Sequence, residues 1–122
     1  NFRELFRRTL DIGAECIYVT PWMTCKYVDP SVPKGPLADV AADLSQRQNA
    51  NLPDRFVDVA RTIAREMSIP IADAYSEWKL YDKCEIDTTE LLANRINHPI
   101  AKMHDIFVRK ILEQILSDGA TN

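Results

Sequence analysis

Two imidazoles, His98 and His104, are the side chains best suited to move protons near neutral pH, and both fall in one short C-terminal stretch. His98 stands between Asn97 and Pro99. Proline is favoured at the first position of a helix, where its missing N–H is not needed. The spacing therefore predicts a helix from Pro99 with His98 at its cap and the ring turned away from the helix body. An imidazole held there can take a proton from a hydroxyl nucleophile and return it to a leaving group. Its competing role is that of a plain loop or capping histidine. His104, on the flank of a stripe carrying Met103 and Phe107, is expected to be a half-buried packing residue.

The groups that could complete such a site are sparse. Asp73 stands at the end of a predicted strand, and Glu85, Asp87 and Glu90 precede His98. Asp73 and Asp87 are read first as helix caps and second as candidates for an acid that orients the imidazole. The serines, at 31, 45, 68, 76 and 117, include none in a G-x-S-x-G turn. Glycines at 13, 35 and 119 alone cannot build a phosphate-cradling loop. The two histidines have no third ligand, and Cys16, Cys25 and Cys84 contain no CxxC pair, so neither a metal site nor a cofactor is expected. Cys16, in the apolar run Cys16-Ile17-Tyr18-Val19, is expected to act as a buried small hydrophobe.

The elements that must position these residues follow from periodicity. Apolar positions over 1–12 predict an amphipathic helix ended by Gly13, and 15–20 predicts a strand closed by Pro21. Residues 21–53 are proline-rich and irregular, apart from a short helix predicted over 38–48. A long connection of this kind suits a binding or lid role, or a plain surface excursion. Asp54 is expected to cap a helix whose stripe is Phe56, Val59, Ala60, Ile63, Ala64 and Met67. A second strand is predicted at 69–72, then a segment over 74–81 capped by Asp73, and a capping box at 87–90. The last helix is predicted over 99–116, with Ile100, Met103, Phe107, Ile111 and Ile115 on its core face and Gly119 beyond its end.

A chain of 122 residues with 46% apolar and 27% charged residues suits one globular domain. The net charge of −3 and the lack of a clustered basic footprint exclude a nucleic-acid surface. No apolar run is long enough to span a bilayer, and neither cysteine content nor the N-terminal residues decide the compartment. Two strands alone cannot form a sheet with helices on both faces, so the chain is expected to be part of a larger α/β domain. Preceding sequence or another chain would complete the sheet.

The stretch Arg61-Thr62-Ile63-Ala64-Arg65-Glu66-Met67-Ser68-Ile69-Pro70-Ile71-Ala72-Asp73, followed by Leu91 to Pro99 and by Met103-His104-Asp105-Ile106-Phe107, resembles the C-terminal part of the SGNH, or GDSL-like, hydrolases. Glu15-Cys16-Ile17-Tyr18-Val19-Thr20-Pro21 is similar to the family's penultimate core strand, and the likeness runs over about residues 1–116. The resemblance implies a three-layer α/β/α, flavodoxin-like domain with a parallel sheet, of which residues 1–122 form an incomplete C-terminal portion. It also implies a serine-dependent carboxylic ester hydrolase of esterase or lipase type, with an ester as its small-molecule partner. His98 matches the catalytic histidine, acting as general base and acid. The serine of the G-D-S block and the oxyanion-hole donors would come from an upstream segment, or the exposed half-sheet would be covered by a second copy of the chain. The family places an aspartate three residues before that histidine, where this chain has Arg95. The acid would then be Asp87 or Asp73, the site would be a serine–histidine dyad, or activity would be impaired. The piece alone is not expected to hydrolyse esters. The alternative is a non-catalytic binding or interaction domain that keeps the hydrolase fold.

Overall fold

Helix α1 spans Phe2–Asp11, and the Asn1 side chain caps it by accepting the Arg3 N–H. Gly13 stops it as predicted, with a left-handed φ of 77° and its N–H bonded to the Leu10 carbonyl. The computed structural model describes residues 1–119. Its remaining elements are β1 (Tyr18–Val19), α2 (Pro36–Asn49), α3 (Leu52–Glu66), β2 (Ile71–Ala72), α4 (Ala74–Lys83), a 3₁₀ turn (Ala101–Met103) and α5 (His104–Gly119).

The expected three-layer α/β/α, flavodoxin-like parallel sheet is not formed. The chain is 56% helical and carries one open sheet of two strands. β1 and β2 run parallel, with Tyr18 opposite Ile71 and Val19 opposite Ala72. The segments predicted as strands over 15–20 and 69–72 supply the right residues, but a ladder needs a partner at each position. Pro70 lacks an N–H, and the Ile69 N–H is drawn back to the Ala64 carbonyl at the end of α3. The pairing shrinks to its central rungs.

Two apolar clusters hold the helices to this ribbon. Phe6, Tyr18, Ala60, Ala64 and Ile69 join α1 and α3 to the side of the ribbon that Tyr18 faces. Trp78, Tyr75, Met23, Cys25, Leu92 and Ile106 form the larger cluster among α2, α4, α5 and the loops. Cys25 is fully buried there, its thiol on the Ala41 carbonyl and pushed above its ordinary pKa by burial. Cys16, expected to be buried, is half-buried at the margin of the smaller cluster.

Boundaries move where chain pairing outcompetes local signals. α2 begins at Pro36, ahead of the predicted start, because proline at a first helical position needs no acceptor. α3 starts after Asn51, not at Asp54, whose carboxylate instead accepts from Tyr75 Oη at 3.0 Å and pairs with Lys79 Nζ at 3.0 Å. The predicted capping box at 87–90 forms turns with no continuing helix. The largest revision concerns Pro99. It does not open a helix: it forms an antiparallel bridge with Leu92, the Ile100 N–H bonds the Leu91 carbonyl, and α5 starts only at His104.

That α5 start also rotates the last helix. Ile106 is buried, whereas Ile115, expected on the core face, is 53% exposed. In α3, the buried positions are Val57, Ala60 and Ala64, while Phe56 and Val59 from the predicted stripe lie mostly in solvent.

Candidate functional site

His98 is exposed in a loop organised by Asn94. The Asn94 Oδ1 accepts the N–H groups of Ile96, Asn97 and His98 at 3.1, 2.9 and 3.0 Å, which fixes which end of the amide is oxygen. Its Nδ2 must then donate to His98 Nδ1, 2.9 Å away, so the neutral ring carries its proton on Nε2. A histidine that activates serine uses the opposite tautomer, with Nδ1–H donated to a carboxylate and Nε2 free to accept. His104 is not half-buried as expected: it is exposed at the head of α5, with its ring 6.4 Å from that of Phe107.

The two acid candidates are engaged elsewhere. Asp73 caps α4 by accepting the Ser76 N–H, receives Ser76 Oγ and Thr20 Oγ1, and pairs with Arg61 at 2.7 Å. Burial alone would raise its carboxyl, but the bonds from Arg61 and Ser76 outweigh that and hold it below the ordinary carboxylate range. Asp87 accepts Tyr27 Oη at 2.7 Å and the Thr89 N–H at 2.9 Å. Among the described residues neither carboxylate bonds to either histidine. Arg95 lies near Asp29 and helps to lower that carboxyl, behind the larger effect of the two Ser31 hydrogen bonds.

The same loop does have a definite structural output. The Asn97 carbonyl accepts Trp22 Nε1 at 2.6 Å, and Trp22 meets Phe107 edge to face with ring centres 5.7 Å apart. These rings form one side of an apolar trough of about 470 Å³ that runs along β1. Phe2, from α1, and Phe56, from α3, form the other side, 5.4 Å apart. Tyr18, Val19, Thr20 and Pro21 are its floor.

The floor is a strand edge. The Tyr18 and Thr20 N–H groups bond to the Pro70 and Ala72 carbonyls, so the alternation of an extended chain turns the Val19 N–H and C=O away from β2 and toward the trough. Among the described residues the Val19 N–H has no partner. Thr20 Oγ1 fixes the end of this edge by accepting the buried Tyr75 N–H at 2.8 Å. No motif marks the trough in the sequence: Phe2, Tyr18, Trp22, Phe56 and Phe107, five of the chain's aromatic residues, come from separate elements.

Comparison with protein-family models, with curated proteins and with solved structures returned no match. The likeness to SGNH hydrolases is therefore corrected. A helix-dominated chain with a two-stranded open sheet lacks the architecture that such enzymes use, and the described residues contain neither a catalytic triad nor an oxyanion hole. The esterase or lipase activity, the ester partner and the reading as a binding domain with a retained hydrolase fold fall with it. No helix of the described residues is long and apolar enough to cross a membrane, and no group of three or more His, Cys, Asp or Glu side chains among them could hold a metal ion.

Proposed function

We propose that this chain is a polypeptide-docking unit that takes an extended apolar segment as a further strand along β1. The observation that carries the reading is the coincidence of an unpaired strand edge at Val19 with aromatic walls on both of its sides. Strand addition draws affinity from main-chain hydrogen bonds and specificity from side-chain pockets, and this edge offers both.

The walls also define the partner. A strand with one face in water alternates apolar and polar residues, whereas one covered on both faces reads as a continuous apolar run. A segment lying here meets Phe2 and Phe56 on one face and Trp22 and Phe107 on the other, so both sets of its side chains are covered. The fitting partner is an uninterrupted Val/Ile/Leu run. Each such side chain fully removed from water contributes about 1.5–3 kcal/mol.

Titration with two soluble peptides tests this, one with a central Val-Ile-Val-Ile-Val run and one with Val-Thr-Val-Thr-Val, read by tryptophan emission. The first is expected to bind at least about tenfold more tightly, the margin of roughly one hydrophobic side chain. Phe56, 63% exposed, can be cut to serine at little cost to folding, and Phe56→Ser is expected to weaken that binding by a similar factor. Equal affinity for the two peptides, or a trough closed by self-association of the chain at the concentrations used, overturns the reading.

A further inference from the structure

The open edge of β1 does not stop at Val19. Ile17 stands two residues earlier, about 6.5 Å along an extended chain, where the alternation turns its N–H and C=O the same way as those of Val19. Among the described residues the Ile17 N–H has no partner either. In the other direction the next outward position is Pro21, which has no N–H to give, and Trp22 stands beside it in the wall of the trough. A docked segment therefore extends toward the amino end of β1.

At that end the two strands part. The register of Tyr18 with Ile71 would set Cys16 opposite Ile69, but Pro70 offers no N–H to the Cys16 carbonyl and the ladder goes no further. A hollow of about 620 Å³ opens here, walled by Leu10 from the end of α1, by Cys16, Ile17, Ile69 and Pro70, and by Ile115 from α5. It continues the trough along the chain, because Tyr18 belongs to the trough floor and its neighbour Ile17 to the hollow. The polar members of its lining, Glu15 and Ser68, are exposed. A valine or isoleucine side chain leaves most of such a space unfilled, and a carboxylate would face Glu15. An aromatic ring brings about 150–250 Å² of surface to apolar walls.

We propose that this hollow receives a bulky aromatic side chain borne next to the apolar run of the docked segment, an assignment that rests on strand docking at β1. The run supplies the pairing at Ile17 and Val19. The ring fixes the register, since a slip of one residue turns it to the other face of the strand. Leu10 and Ile115, 42% and 53% exposed, are the apolar side chains that it covers.

Four peptides test the assignment: a Val-Ile-Val-Ile-Val run with phenylalanine at its amino flank or at its carboxyl flank, each beside a counterpart with alanine there. Binding is followed by tryptophan emission and by exchange of the Val19 N–H. Phenylalanine at one flank is expected to tighten binding about tenfold over alanine, the margin of one largely buried side chain. Ile115→Ser and Leu10→Ser, both at solvent-exposed positions, are expected to remove most of that gain and to leave the affinity of the alanine peptides unchanged. Alanine peptides that protect Val19 with no gain from phenylalanine at either flank overturn the assignment and leave strand docking intact, as does a gain that both variants retain. No protection of Val19 by any of the four peptides overturns strand docking itself, and the assignment with it.

Discussion

Asn94 is the side chain on which the His98 loop turns, because one amide oxygen serves three backbone donors and its nitrogen serves His98 Nδ1. Asn94→Ala is expected to cost about 1–3 kcal/mol in urea denaturation and to shift tryptophan emission, since the Asn97 carbonyl that holds Trp22 moves with the loop. Asn94→Asp keeps the three acceptor bonds and is expected to recover most of that loss. Tyr27 gives a pH signature at the same scale. Its folded value of about 12 lies above the ordinary tyrosine value, so its contribution is complete below pH 10 and is lost as pH rises through about 12. Alkaline unfolding of Tyr27→Phe should lack that component. His98 shows why residue type alone misleads: the sequence displays an imidazole beside proline, but the tautomer is set by Asn94, whose role depends on a turn that only the Leu92–Pro99 bridge creates.

Among the elements, those whose signals are local were legible and those that depend on distant pairing were not. Gly13 ended α1 and Asp73 capped α4 as their neighbours implied. A side chain at Gly13 meets nothing within 4 Å, so Gly13→Ala is expected to destabilise by about 1–2 kcal/mol through the left-handed backbone alone, measured by thermal unfolding. The strands were foreseen too long, because Cys16 and Ile17 have strand-forming neighbours but no ladder partner. The helix foreseen at Pro99 failed for a related reason: the Ile100 N–H, which a helix starting there would leave free, is taken by Leu91. At the carboxyl end of β1, Thr20→Val removes the acceptor of a buried Tyr75 N–H, and a loss of about 1–3 kcal/mol is expected.

For the molecule as a whole, the decisive feature is a mismatch between apolar surface and available partners. Phe56 and Val59 on α3 and Ile115 on α5, which periodicity reads as core, stay largely exposed, as do Leu5 on α1 and Val108 and Leu112 on α5; periodicity reports an apolar face and not what covers it. A two-stranded ribbon is marginal on its own, and here the helices hold it while one edge stays open beside aromatic walls. The trough was invisible in the sequence because its residues meet only after α1, α3 and α5 are placed around β1. Amide hydrogen exchange at Val19 tests the docking account most directly. A peptide with a continuous Val/Ile run is expected to slow exchange of the Val19 N–H by at least about tenfold, as a new inter-strand hydrogen bond does, while the Tyr18 and Thr20 amides, already bonded to β2, change little. Exchange at Val19 that is unaltered under saturating peptide would contradict the account.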